Sequence, residues 1–229
     1  MIKKLVKNGM NDVVLTFSEQ EVSHLKFSDS RIVKTGTELV ENLSIFVAKD
    51  KRIAVTSTRD VSQKAIDKAV INISKFIKNL KPNENYCGIN KKKYNYKEIA
   101  DSYDKKIPSL EEKKVDILQE SINIAESNGA KRCAGILETY DNKVGIATSN
   151  GIEAMDTSTQ IYLSFRSLIS KSASGHKVAC ARTLKDFDYK RAAEKSSIIA
   201  KDSLNQKKAP YGKYDTIFDP LPFADLLNS

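Results

Sequence analysis

Few side chains in this sequence are of the types that activate water, hold a metal or attack a carbonyl. There are two histidines, His24 and His176, and three cysteines, Cys87, Cys133 and Cys180. Neither histidine sits in an H-E-x-x-H or H-x-x-x-H pattern, the spacings that aim two imidazoles at one zinc ion. His176 and Cys180 are four residues apart. In the strand that the surrounding pattern predicts they stand about 13 Å apart, too far for a single ion. The cysteines show no C-x-x-C spacing, which argues against a disulfide framework and against a cysteine zinc site. They read as buried, inert thiols, and the histidines as surface or satisfied strand residues.

Three acidic groupings are the other candidates: Glu138 with Asp141, Glu111 with Glu112, and Asp186 with Asp188. All fall at turns or helix starts, where a carboxylate caps exposed N–H groups or faces water. Ser172-Ala173-Ser174-Gly175 lacks the Lys-Ser/Thr that completes a phosphate loop, and no nucleophile elbow or dinucleotide glycine pattern occurs. No catalytic, cofactor-binding or metal-ligating residue is therefore assigned.

The net charge of +9 raises the question of nucleic acid. The lysines are dispersed, however, and no helix-turn-helix, zinc finger or RNP-like motif accompanies them. The one dense cluster, Lys91-Lys92-Lys93 beside Tyr94, Tyr96 and Lys97, lies in a segment that reads as a solvated linker. No apolar run approaches the roughly 18 residues of a membrane span, and the N-terminus has no signal-peptide core. A cytoplasmic protein is expected.

The elements that would carry these residues follow from periodicity. A short helix over 2–8, stopped by Gly9, precedes strands at 12–18 and 22–27, where Val13, Leu15 and Phe17 alternate. Strands at 32–40, 43–48 and 52–57 follow, the last two split by Lys49-Asp50-Lys51. Asp60 is placed to cap a helix whose stripe is Ile66, Ala69, Ile73, Phe76, Ile77 and Leu80, ended by Pro82. Ser109 and Glu112 form a capping-box pattern before a second helix carrying Val115, Leu118, Ile122 and Ala125, closed by Asn128-Gly129. Strands at 132–139, 143–149, 152–170 and 176–183 come next, with Asn150-Gly151 as a strong turn signal. A helix over 187–206, a short strand over 214–218, and a helix begun by Asp219-Pro220 complete the reading.

This order predicts an α+β protein, mostly antiparallel sheet with long packed helices, built from two similar α/β units. The expected boundaries are 1–80, a linker at 81–108, 109–208, and the start of a truncated C-terminal region at 209–229. Gly9 and Gly129, Asp29 and Asn150, and Phe46 and Phe165 recur at nearly constant offset, as an internal duplication would produce. Different strand orders in the two halves would refute that duplication. The last helix is about two turns long where the sequence stops, too short to be stable alone, so a fragment of a longer protein is expected. The long strand at 152–170 is the expected cleft wall, since edge strands recruit extended peptides.

Three stretches carry a resemblance: V-A-K-D-K-R-I-A-V-T-S-T-R-D-V-S at 47–62, A-T-S-N-G-I-E at 147–153, and K-Y-D-T-I-F-D-P at 213–220. In their order and spacing they resemble the N-terminal region of the TldD/PmbA family, also written TldD/TldE and once called modulators of DNA gyrase. The resemblance covers essentially the whole chain. It implies a cytosolic metalloprotease system in which two kinds of subunit form a heterodimer around a chamber. One subunit carries H-E-x-x-x-H and a cysteine for zinc; the other lacks the site. Unfolded peptides and peptide-antibiotic precursors are the implied substrates. Where His-Glu would follow the L-P-F-A-D-L-L segment, this chain has Asn228-Ser229, which cannot supply an imidazole or a general base. The resemblance thus implies the PmbA/TldE-like, zinc-less partner. Zinc is expected in a catalytic TldD-like partner and none in this chain, and the isolated chain is expected to be inactive. The alternatives are a truncated catalytic zinc metallopeptidase subunit and a basic nucleic-acid-binding module.

Overall fold

The computed structural model describes residues 1–92, 96, 97 and 99–228. The elements are α1 (Ile2–Lys7), β1 (Asp12–Ser28), β2 (Arg31–Lys49), β3 (Arg52–Thr58), α2 (Gln63–Phe76), α3 (Lys113–Ser127), β4 (Arg132–Thr148), β5 (Glu153–Leu168), β6 (Ser174–Ala181), α4 (Tyr189–Asp202) and α5 (Pro220–Leu227). All six strands form one antiparallel sheet in the order β3-β2-β1-β4-β5-β6. The α+β class read from the sequence is the class found. Each half runs helix, three-strand meander, helix, and the two strand orders match. β1 and β4 meet at the middle.

Strand alternation puts one face of the sheet against α1 to α4 and, among the described residues, leaves the other without a packed helix. Val13, Leu15 and Phe17 of β1 pack with Leu43, Ile45 and Val47 of β2 and with Val70, Ile73 and Ile77. Leu25 and Phe27, further along the same strand, pack with Leu137, Ile161, Leu163, Phe165, Leu118 and Ile122. β1 therefore contributes to both cores. Between them runs a polar belt. Lys143 pairs with Glu19 at 2.7 Å, and the Gln20 amide donates to Asn142 Oδ1 at 2.7 Å.

That belt explains the main departure from the sequence reading. The breaks expected near 19–21, near 41–42 and near 140–142 do not exist; β1, β2 and β4 run straight through them. The polar residues there satisfy one another across neighbouring strands, so the polarity that reads as a turn is lateral pairing. The offset pairing of Phe46 with Phe165 also fails. Phe165 is fully buried on the helix side, whereas Phe46 alternates with core residues and meets the ring of Tyr86 at 6.2 Å. A one-residue slip reverses the face.

Helix starts differ as well. Ser62, not Asp60, caps α2, its hydroxyl accepting from the Ala65 N–H, while Asp60 accepts from the Ser62 N–H. The Ser109–Glu112 capping box does not form. Glu111 has φ +39°, which breaks the chain between a 3-10 turn at Pro108–Leu110 and α3, and Ser109 donates to the Lys105 carbonyl instead. Residues 214–218 pair with no strand. Asp219 does precede Pro220 at the start of α5, but its carboxylate is bound to Lys177 at 2.7 Å.

The described parts of the 81–108 segment bond to the sheet at two places. The Asn83 N–H donates to the Lys51 carbonyl, and the Tyr86 hydroxyl donates to Asp12 at 2.8 Å. The chain then reaches the outer edge of β5. There the Thr159 N–H donates to the Ser102 carbonyl and the Asp104 N–H to the Thr159 hydroxyl, before Ile107 and Leu110 enter the second core.

Helix α4 sits close on β5 and β6 because its inner face is small: Ala192, Ala193, Ser196, Ser197 and Ala200. A Cβ at Gly175 of β6 would lie 2.0 Å from the Ser196 carbonyl oxygen and 2.5 Å from the Ala200 nitrogen. Both are backbone atoms that cannot turn aside. Gly175→Ala should therefore destabilise the fold by about 1–3 kcal/mol or more, as overpacking does. Urea unfolding that leaves the midpoint unchanged would contradict this contact.

Candidate functional site

The helix-free face gathers the side chains with chemical potential. Register places Gly36 of β2, His24 of β1, Glu138 of β4, Tyr162 of β5 and Cys180 of β6 in one row across five strands. By alternation all point away from the helices. The Tyr140 hydroxyl, two residues along β4, donates to Glu138 Oε2 at 2.8 Å. Burial first, then that hydrogen bond to a carboxylate, pushes the tyrosine up to about 12.

His24 is neither exposed nor satisfied, against expectation. It is 8% exposed, and its Nε2 is buried without a hydrogen-bond partner among the described residues. Its ring lies over Gly36, where a Cβ would stand 2.9 Å from Cε1. Glycine at 36 thus gives the imidazole its place, and the sequence alone does not show that pairing.

His176 meets the Ser164 hydroxyl at 2.9 Å. A serine and a histidine in contact have the outline of a nucleophile and its base. However, Ser164 sits in the middle of β5, paired with Ile136 on one side and Val178 on the other. Its main chain is committed to the sheet and cannot offer N–H groups to an oxyanion. Burial, followed by the nearby Arg166 guanidinium, lowers the His176 pKa, with Asp225 of α5 opposing. The pair is a polar contact of the sheet.

The cysteines divide. Cys133 is buried, and burial pushes its thiol up to about 11. Cys87 and Cys180 are exposed, which corrects the expectation of burial for both. Burial still raises the Cys180 thiol where it lies on the sheet.

The acidic groupings are partly occupied, and Asp141 Oδ1 is buried with no hydrogen-bond partner among the described residues. Glu138 accepts from Tyr140, Asp141 from the Tyr103 hydroxyl at 3.2 Å, and Asp186 from Thr183. Asp188 caps α4 by accepting from the Arg191 N–H, and Glu112 is the N-cap position of α3. Among the described residues, no three His, Cys, Asp or Glu side chains come together as a metal cluster. Of the lysine-tyrosine cluster, Lys93 and Tyr94 lie outside the described residues. Tyr96 and Lys97 line a groove of about 280 Å³ with Val144, Ile146 and Met155. Beside it, a more open groove of about 570 Å³ is lined by residues 99–103 and by Met155, Asp156 and Thr157.

Two meanders joined in one sheet, with helices on one face and a polar-aromatic row on the other, define a two-layer α+β scaffold. That scaffold is the fold of solved proteins of the TldD/TldE kind. Over 99% of this chain it matches a candidate modulator of DNA gyrase from Bacteroides thetaiotaomicron, with a TM-score of 0.81 and 20% identity, covering 54% of that chain. Over 92% it matches a second such protein, from Thermotoga maritima, at a TM-score of 0.73 and 17% identity, covering 48% of that chain. TldE from Thermococcus kodakarensis matches over 86% at 0.64 and 16% identity, covering 45% of its chain. The chain spans about half the length of these structures, and at such identities the likeness is one of fold. No protein-family model matches the sequence, and no curated protein does. No helix among the described residues is long and apolar enough to cross a membrane.

The lowered pKa of His176 has a direct consequence. A histidine held neutral by its surroundings contributes stability that is complete above the unfolded value of about 6.5 and is lost as pH falls through the folded value. NMR titration of the ring should give a midpoint below 6.5. In the same range, stability of the wild-type chain should fall with pH more steeply than that of His176→Gln. A midpoint above the ordinary histidine value would contradict the arrangement.

Proposed function

We propose that this chain is the N-terminal region of a TldD/TldE-type protein and, of the two kinds of subunit, the zinc-less partner. The observation that carries this reading is the fold likeness over nearly the whole chain to structures twice its length, TldE among them. The 213–220 segment leads into α5, whose L-P-F-A-D-L-L sequence is followed by Asn228 where the resemblance would place the first zinc histidine. Ser229, at the glutamate position, lies outside the described residues.

In this reading the chain works by shape. The sheet supplies a rigid wall, and the helix-free face, with its aromatic and polar row, lines an enclosure completed by the catalytic subunit. Unfolded peptides are the substrate class. An extended chain passing over such a wall is held by its backbone and by contacts that tolerate many side chains. Zinc and the water it activates belong to the partner, and the assembly is cytoplasmic.

The test is reconstitution. The chain, used as bait in native cells, should retain a second subunit bearing H-E-x-x-x-H. Alone it should cleave no unfolded peptide, with or without added zinc. Chelator-sensitive cleavage by the purified chain would overturn the assignment, as would failure to retain any such subunit.

A further inference from the structure

The two halves of the sheet differ at their outer edges. In the second half, β6 covers 161–168 of β5, and residues 102–104 bond to Thr157 and Thr159 further along. In the first half, β3 covers only 43–49 of β2. Residues 31–42 pair with β1 on one side, and among the described residues no strand or loop bonds to them on the other. The longer bare edge is therefore in β2, whereas the 152–170 strand expected to form a cleft wall is covered on its outer side over 157–168. The side chains of the β2 edge are exposed, including Val33 at 63% and Leu39 at 60%.

The order of residues on this edge is self-complementary. Turned antiparallel on itself about Gly36, it sets Thr35 opposite Thr37, Lys34 opposite Glu38, and Val33 opposite Leu39. Beyond these the extra residue at Val33 shifts the faces of Ile32 and Arg31, so the mirror pairing ends there. Like thus faces like for apolar and hydroxyl residues, and opposite faces opposite for charge, as cross-strand pairing favours. Among the described residues, none of Arg31, Lys34, Glu38 and Glu41 has an ion-pair partner within its own chain. The β1–β2 register slips between Lys26 and Phe27, where Val33 is the extra residue of β2, so the regular edge begins at Lys34 and carries the Lys34–Glu38 and Thr35–Thr37 pairs. Protective edge charges need only repel; here the two signs stand in mirror order.

We propose that the β2 edge pairs with the same edge of a second copy of this chain, antiparallel and two-fold symmetric about Gly36. The axis runs perpendicular to the sheet, so helices of both copies lie on one side and the six strands of each continue into the other's. The helix-free faces join into one surface, with the two His24 rings flanking the axis over their Gly36 partners. This inference rests on the edge alone and stands apart from the assignment of the chain to a peptidase assembly.

Charge reversal tests it. Lys34→Glu places carboxylate against carboxylate twice by symmetry, and Glu38→Lys does the same with ammonium groups. Sedimentation velocity on the wild-type chain should show a concentration-dependent dimer. Each single variant should weaken it about ten- to a hundred-fold, and the double variant K34E/E38K should restore it. Because both side chains are exposed, circular dichroism and thermal unfolding should be unchanged. A wild-type chain that stays monomeric at all concentrations overturns the proposal, as does a dimer indifferent to the single variants. So does a monomer whose capture of a different subunit is lost in both single variants and in the double, which would assign the edge to that subunit.

Discussion

The β1–β4 ladder is the interaction on which the rest of the structure depends. It pairs 14–27 of the first half with 135–148 of the second and turns two three-stranded meanders into one sheet. A three-stranded meander with one helix pair has a small core and two exposed edges. Joining at β1 and β4 removes one edge from each. It also lets β1 serve both cores, since its first part packs under α2 and its last part under α3 and α4. The polar belt of Glu19, Gln20, Asn142 and Lys143 then becomes the seam between the cores.

The same joint governs how the two faces are used. The small inner faces of the helices bring backbone close to backbone, as at Gly175, and this closes the helix side. The opposite face keeps its tyrosines, His24 and Glu138 in a plane with no layer of helices above it among the described residues. The groups on it are held by one another or by the sheet: Tyr140 by Glu138, His176 by Ser164. Burial and neighbours move the pKa values of Tyr140 and His176 among them. None is a nucleophile activated by an oriented base.

The outer edges complete the picture. Residues 83–86 bond to the first half and residues 102–104 to the outer side of β5 at Thr157 and Thr159, with no counterpart of the latter on the β2 edge among the described residues. The unshielded side carries alternating charge and exposed aliphatic residues.

Much of this architecture was legible in residue order. The α+β class, the antiparallel meanders, the repeated helix-meander-helix order and the turns at Asp29, Asp50 and Asn150 follow from apolar periodicity and from residues that tolerate or punctuate positive φ. The absence of zinc spacing around His24 and His176 was equally plain, because ligand spacing is a property of sequence. What tertiary structure decided were the features that depend on a neighbouring strand. Polar residues at 19–21 and 140–142 look like turns until the strand that satisfies them is known. Ser109 and Glu112 look like a cap until the positive φ of Glu111 separates them. The burial of His24 over Gly36, its alignment with Glu138, Tyr162 and Cys180, and the covered and bare edges arise from pairings between residues far apart in the chain. Local patterns specify which way a side chain faces along its own strand; only the register between strands decides what it meets.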